Sequence, residues 1–194
     1  MSLTRNDLEK AGWEQIALQF ITDTFTRSNS PSSMGSTEGG ELAWEYYGGV
    51  WGIFGNAVYK SSGAGDSKAF VNNQRADITL EATLPAVDPG SAIMWRNSAD
   101  NLNCYIIYIG TGGTAFSFKQ VAGAYGAIIA NYGTFNTGDT LKVAAVGNVH
   151  TIYRNGAQIG TFTDSFNNTA TRHGFRTDAS FGSATGRYDN FKLY

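Results

Sequence analysis

The chain has 194 residues and a formal net charge of −2, and its 14 lysine and arginine residues are scattered, which excludes an electrostatic surface for nucleic acid. Its single cysteine excludes an internal disulfide framework, and no apolar run approaches the roughly 18 residues of a membrane helix. The 24 glycines and 26 aromatic residues (10 Tyr, 12 Phe and 4 Trp) are typical of many short strands joined by turns.

The first 20 residues differ from the rest of the chain. Asn6 followed by Glu9 fits a helix N-cap with its reciprocal acid, and it predicts a short helix over residues 4–20. This helix either packs on its own domain or docks on a partner protein. The docking alternative assigns the contact to four apolar residues, Leu8, Trp13, Ile16 and Phe20.

The start of the chain also bears on where the protein acts. Residues 1–7 are polar and include an acid, and no basic stretch precedes an apolar one. We therefore predict that no signal peptide is present and that the protein is made and kept soluble.

From residue 21 onward the pattern is that of strands and turns. Residues 141–146, 149–154 and 157–163 are separated by Gly147-Asn148 and Asn155-Gly156, which predicts a three-stranded meander with a type I′ turn at Asn155-Gly156. Residues 105–109 are apolar throughout and predict a strand buried on both faces. Roughly a dozen such segments predict an all-β fold, a two-sheet antiparallel jelly-roll sandwich over residues 21–194.

Catalytic patterns are absent. Sandwich enzymes that cut polysaccharides need two carboxylates a few ångströms apart, and no strand of this chain carries them at a suitable spacing. Glu38, Glu41 and Glu45 fit a solvated loop and the strand after it, while His150 and His173 lack metal-ligand spacing. We predict that His150 lies at the surface or at a sheet edge, and that the protein is not an enzyme.

One cofactor hypothesis concerns calcium, which prefers oxygen ligands from Asp, Asn and backbone carbonyls. Asp189 and Asn190, with Asp23 on a presumed neighbouring strand, could supply such ligands. The alternative is that Asp23 and Asp189 cap turns or pair with Arg27 and Arg187.

The densest aromatic stretch lies at residues 43–51. Trp44, Tyr46 and Trp51 could stack on sugar rings or anchor a protein partner. The alternative is that the stretch belongs to the core, as at least part of it must, since Trp44 and Tyr46 share one strand face while Tyr47 lies opposite.

Two acidic-aromatic segments frame the sandwich, Asp-Thr-Phe-Thr-Arg at 23–27 and Tyr-Asp-Asn-Phe at 188–191, and pairing between them would close a sheet. The order of these and the intervening motifs resembles concanavalin A-like (laminin G/lectin-like) sandwich domains in phage virion proteins, in particular minor tail or other virion-surface proteins of phages that infect actinobacteria. The motifs that carry the resemblance are Met34-Gly35, Trp51-Gly-Ile53, Arg96 to Asp100 before Tyr105, Gly138 to Val143, Tyr153 to Gly156, and the two framing segments.

The resemblance implies a non-enzymatic virion protein, a capsid decoration or minor tail protein, with residues 1–20 as its docking arm. It implies display on the virion surface, contact with other virion proteins or with further copies of this chain, and assembly in the host cytoplasm. A second hypothesis is a carbohydrate-binding module or adhesin that attaches to host-surface glycans.

Overall fold

The computed structural model describes residues 20–63, 65–178 and 186–194, and these form a sandwich of two antiparallel β-sheets. Eight strands build the first sheet: β1 (Ile21–Asp23), β3 (Val50–Phe54), β4 (Ala57–Ser62), β6 (Ile78–Ala86), β11 (Thr140–Val146), β12 (Val149–Arg154), β13 (Ala157–Thr163) and β15 (Arg187–Leu193). Their order is β13-β12-β11-β6-β15-β4-β3, with β1 also paired to β15. The predicted jelly-roll sandwich is confirmed.

Seven strands build the second sheet: β2 (Glu45–Tyr47), β5 (Asp66–Asn72), β7 (Ser91–Asn97), β8 (Cys104–Ile109), β9 (Thr114–Val121), β10 (Ala124–Thr134) and β14 (Arg172–Asp178). Their order is β10-β9-β8-β7-β14-β5-β2. The helical structure in the described ranges is two short 3₁₀ segments, Glu38–Gly40 and Thr111–Gly113. No helix in these ranges is long and apolar enough to cross a membrane.

The two framing segments pair as the sequence suggested. β1 runs antiparallel to β15, with Ile21 opposite Leu193 and Asp23 opposite Phe191. The first strand is shorter than the predicted segment, however, because Phe25 has a φ of 51° and turns the chain out of the sheet after Asp23.

The meander over β11, β12 and β13 is confirmed, with β12 paired to both neighbours. Asn155 and Gly156 have φ values of 50° and 81°, as a type I′ turn requires. The strand β8 is buried on both faces, as its unbroken apolar sequence predicts.

The core between the sheets contains ten buried aromatic side chains. Trp95 and Tyr105 from one sheet meet His150 from the other, and the Trp95 indole Nε1–H donates to His150 Nδ1 at 2.9 Å. The predicted surface position of His150 is therefore wrong. Its strand β12 has a partner on each side, and His150 alternates inward with Ile152.

Candidate functional site

The outer face of the seven-stranded sheet, the face turned away from the core, is unusually apolar. Every second residue of each strand points to this outer face, and the pairing of neighbouring strands aligns these residues in rows that cross the sheet. One row reads Ile128, Phe118, Ile106, Met94, Gly174 and Phe70. The adjacent row reads Phe116, Tyr108, Ala92, Arg176, Lys68 and Tyr47. Most side chains of these rows are buried, Met94, Ile106 and Phe70 among them, and the row members that are exposed are Ile128 and Tyr47.

An open cleft lies on this face at the β9–β10 edge. It has a volume of about 190 Å³ and is lined by Tyr108, Phe116, Phe118, Tyr125, Gly126 and Ile128; we call it the aromatic cleft. The Phe118 and Tyr125 rings meet edge to face with centroids 5.3 Å apart, and Ile128 is 62% exposed at the rim. The cleft is smaller than the 300–1,000 Å³ typical of drug-sized sites, and therefore suits a small unit such as one sugar ring.

Beside the cleft lies a polar cluster of five residues: Asp66, Lys68, Gln120, Arg176 and Asp178. Lys68 Nζ donates to Gln120 Oε1 at 2.7 Å, and Gln120 Nε2 donates to Asp66 Oδ2 at 2.9 Å. Arg176 Nε lies 2.7 Å from Asp66 Oδ1, and Arg176 Nη2 lies 3.2 Å from Asp178 Oδ2. The two cations and two carboxylates hold one another in place on adjacent strands, β5 and β14.

Tyr125 connects the aromatic cleft to the polar cluster. Its ring forms one wall of the cleft, and its hydroxyl group contacts both Arg176 Nη2 and Asp178 Oδ2. The Arg176 guanidinium carbon lies 4.8 Å from the centroid of the same ring, within the range of a cation–π contact. An apolar surface and hydrogen-bonding groups therefore meet at one side chain that is 38% exposed.

Side chains on this face are themselves desolvated. Burial raises the pKa of the Cys104 thiol to about 11, and burial likewise raises the pKa of Tyr108. Cys104 lies on this same face, opposite Gln120 on β9, and its buried thiol donates to Gln120 Oε1 at 3.6 Å.

The local sequence explains why these residues converge. In β5 the side chains of Asp66, Lys68 and Phe70 point outward while Ala69 and Val71 enter the core. In β14 the same alternation brings out Gly174, Arg176 and Asp178 around the buried Phe175. Because successive side chains of a strand point to opposite faces, both strands place charged and apolar side chains together on the outer face.

The ligand-binding assignment of the aromatic stretch is corrected at both tryptophans. Trp44 is 5% exposed and Trp51 is fully buried, so neither ring offers a face to a ligand. Trp44 stacks on Phe175, with centroids 5.5 Å apart, and Trp51 Nε1 donates to Ser67 Oγ in the core. Tyr46 is half-buried, with its hydroxyl accepting from the Met34 N–H.

Tyr47 is the residue of this stretch that reaches the candidate face. It lies opposite Lys68 across β2 and β5, and Lys68 Nζ sits 5.6 Å from its ring centroid. Strand alternation in the sequence predicts that Tyr47 lies on the opposite face from Trp44, and the partial exposure of Tyr47 follows from it.

The proposed calcium ligands are adjacent, as β1 pairs with β15. The Asp23 carboxylate is buried and accepts from Arg27, from Trp44 Nε1 and from the Phe25 N–H. Burial raises the pKa of Asp189, and the negative charge of Asp23 adds to this rise. Within the ranges that the structure describes, no group of three His, Cys, Asp or Glu side chains is arranged to hold a metal ion.

Three of the docking-arm residues, Leu8, Trp13 and Ile16, lie outside the described residues, as does the predicted helix. Phe20 is exposed, and its ring lies 5.3 Å from that of Tyr194.

The residues that form the cleft and the cluster were not predicted from the sequence. The signal was present in the alternation of Phe116, Phe118 and Gln120 and of Asp66, Lys68 and Phe70. Sequence alone, however, does not tell which face of a strand meets the second sheet.

No protein-family model and no curated protein matches this chain. Its fold is similar to that of the carbohydrate-binding module CBM66 from Bacillus subtilis, with a TM-score of 0.62 and 24% identity over 77% of this chain and 94% of the module. It is also similar to a β-glucanase from Bacillus licheniformis, with a TM-score of 0.58 and 12% identity over 90% of this chain and 95% of the enzyme.

A protein of unknown function from Shewanella oneidensis MR-1 gives a TM-score of 0.56 and 15% identity over 100% of this chain and 94% of that protein. At these identities the likeness establishes the two-sheet β-sandwich fold and no more. One fold of this kind serves several functions, so function has to be argued from the site.

Proposed function

We propose that this protein is a non-catalytic carbohydrate-binding module, and that the aromatic cleft with the adjoining polar cluster is its sugar site. The observation that carries the proposal is the meeting of the aromatic rings of the cleft with charged and amide groups at Tyr125. A sugar ring has one apolar C–H face and a rim of hydroxyl groups. Aromatic rings cover the former, and carboxylate, amide and guanidinium groups bind the latter.

The fold supports the proposal as a scaffold. The similar structure from Bacillus subtilis is by its own description a carbohydrate-binding module. Fold likeness alone leaves hydrolysis open, because the β-glucanase has the same architecture.

The arrangement of carboxylates favours binding over hydrolysis. Asp66 and Asp178 lie opposite each other on β5 and β14, so the outer face does contain a carboxylate pair. Both contact the Arg176 guanidinium. A glycosidase needs one carboxyl group placed to protonate the leaving group and a second placed to attack the sugar or activate water, whereas here both hold one arginine.

The proposal is tested by glycan-array binding followed by titration calorimetry of wild type, Tyr125→Ala and Val149→Ala. We expect Tyr125→Ala to weaken binding at least tenfold, since it removes a ring wall whose burial is worth roughly 1.5–3 kcal/mol. Val149 is exposed at the β11–β12 turn of the other sheet, so Val149→Ala should bind like wild type. Absence of wild-type binding to every sugar, or equal affinity of Tyr125→Ala, contradicts the proposal. Release of shortened glycan would favour a hydrolase.

The virion role implied by the motif order stays a prediction. A sugar-binding face would suit a protein displayed on a particle that meets host glycans. The two hypotheses concern different surfaces, because the docking arm belongs to residues 1–20 and the candidate site to the outer face of the seven-stranded sheet.

A further inference from the structure

We propose that the chain folds back on itself at its start, so that residues 8–19 cover an exposed apolar corner of the eight-stranded sheet and bind in the groove beside it. This interaction is separate from sugar binding and lies on the opposite sheet. Of the two interpretations of the predicted N-terminal helix, packing on its own domain or docking on a partner, it selects the first.

The corner is formed by apolar side chains on the outer face of the eight-stranded sheet. β1 and β6 begin at this end of the sheet and β11 and β15 end there, because each neighbouring pair is antiparallel. Ile21, Ala145 and Leu193 enter the core, so the residues next to them point outward, and Val149 pairs with Val146 across the β11–β12 turn. Four side chains here are between 38% and 62% exposed, and we call them the terminal patch: Phe20, Val146, Val149 and Tyr194. Single exposed apolar side chains are ordinary, whereas a group of them marks a contact surface.

A groove runs between members of the terminal patch. Its volume is about 770 Å³, and it is lined by Tyr194 on β15, Thr79 on β6 and Val146 on β11, together with the loops before β6 and β14. Thr79 belongs to the strand between the other two and exchanges two backbone hydrogen bonds with Tyr194. Two larger side chains therefore stand on either side of a smaller one, and such a groove can receive the apolar face of a helix.

The segment that leads into the terminal patch is the occupant that fits it. Phe20 is the first residue that the structure describes, and its ring lies 5.3 Å from that of Tyr194. Trp13 and Ile16 precede Phe20 by seven and four positions, the spacings that share one face of a helix. The last residue of this apolar face is therefore already seated beside the groove.

The length of the segment matches the width of the patch. A helix rises about 1.5 Å per residue, and neighbouring strands lie about 4.8 Å apart. Trp13 is therefore about 10 Å from Phe20 along a helix, which equals two strand spacings and places its ring over β6, at the groove. Leu8 is about 18 Å from Phe20 and reaches β12, four strands from β1, where Val149 is exposed.

The covalent link to Phe20 favours this occupant over a separate protein. Because the segment is joined to the patch, its binding is intramolecular, with an effective concentration of the order of millimolar. Modest contacts therefore suffice to hold it. A partner that captures residues 8–19 has to displace them from the patch first.

Trp13 reports on this interaction in the full-length chain. It is one of four tryptophans, and the other three, Trp44, Trp51 and Trp95, are buried in the sandwich. The difference in fluorescence between wild type and Trp13→Phe therefore isolates the signal of Trp13. We expect this signal to be blue-shifted and to be quenched by acrylamide at least threefold less than that of N-acetyltryptophanamide, a fully solvated indole.

Charges placed in the terminal patch should release Trp13. Val146→Asp and Val149→Asp each put a carboxylate at an exposed position beside a turn, and each should raise the acrylamide quenching of Trp13 at least twofold. Val121→Asp is the matched control, because Val121 is similarly exposed but lies on β9 of the other sheet, and it should leave the quenching unchanged. Circular dichroism shows which variants are folded, and either of the two patch variants suffices for the comparison.

Three outcomes would overturn the proposal. Quenching of Trp13 in wild type equal to that of the free indole shows that the segment is not held. Protection that disappears on roughly hundredfold dilution, with a dimer in sedimentation, assigns the patch to a second copy of the chain. Protection that persists in both Val146→Asp and Val149→Asp places the segment elsewhere on the sandwich.

Discussion

Asp23 is a buried carboxylate around which the first turn of the sandwich is organised. Its two oxygens accept four hydrogen bonds, two from the Arg27 guanidinium, one from the Trp44 indole and one from the Phe25 N–H. We expect Asp23→Ala to lower the free energy of unfolding by about 3 kcal/mol, because it strands a buried indole N–H and unpairs Arg27. Chemical denaturation followed by tryptophan fluorescence measures the loss.

The matched control is Asp189→Ala on the closing strand. Asp189 Oδ1 accepts from the Asn190 N–H and has no comparable set of donors among the described residues, so its loss should cost less than about 1 kcal/mol. Equal destabilisation by the two variants contradicts the central role of Asp23.

The calcium hypothesis makes a separate prediction, that calcium raises the unfolding midpoint of wild type and a chelator lowers it.

At the scale of single residues, the sequence predicted side-chain chemistry better than side-chain direction. The interpretation of Asp23 as the partner of Arg27 is what the structure shows. For Trp44 the sequence left both a core and a ligand-binding role open, and its contacts with Phe175 and Phe191 on distant strands place it in the core. Tyr125 could not be identified, because its partners Arg176 and Asp178 lie some 50 positions along the chain.

At the scale of elements, β14 is the strand on which the candidate site depends. It lies between β7 and β5 in the sheet, and it brings Arg176 to the outer face two positions after Gly174. A Cβ atom at Gly174 would lie 2.2 Å from the Ala69 carbonyl oxygen and 2.8 Å from Phe70 Cα, both backbone atoms of β5. Neither can move without parting the two strands.

We therefore expect Gly174→Ala to destabilise the fold by about 3 kcal/mol through overpacking. It should also weaken any sugar binding, since Arg176 shifts with its strand. Gly110→Ala is the control, because its added Cβ would meet neighbours at 3.4 Å or more. Thermal unfolding of both variants checks the difference, and a Gly174→Ala protein as stable as wild type would show that β5 and β14 are not held at this spacing.

Pairs of strands joined by short turns were predictable, and pairs of strands far apart in the chain were not. The meander β11–β12–β13 follows from Asn155-Gly156, whose positive φ values are a local property. The neighbours of β14 are β5 and β7, both more than 70 positions earlier in the chain. Such pairing is set by burial of the whole sheet and leaves no local pattern in the sequence.

At the scale of the whole molecule, two buried histidines make stability depend on pH. His150 Nδ1 accepts from Trp95 Nε1–H, and His173 Nδ1 accepts from the Arg96 N–H. The proton of each neutral ring therefore lies on Nε2, which faces the backbone carbonyl of Asp164 or of Arg75. A second proton on Nδ1 would oppose an N–H group in a desolvated place, and burial accordingly lowers the pKa of both histidines to about 4.

Because the folded pKa values lie below the ordinary value of about 6.5, the unfolded chain binds more protons between these limits. The stabilising contribution of each histidine is complete above pH 6.5 and is lost as the pH falls towards 4, by roughly 3 kcal/mol per residue. Denaturant unfolding at intervals from pH 8 to 4.5 measures the slope. His150→Gln can keep both hydrogen bonds without titrating, so it should remove about half of the slope, and His173→Gln should remove the other half. A slope unchanged in both variants would assign the acid sensitivity to the carboxylates instead.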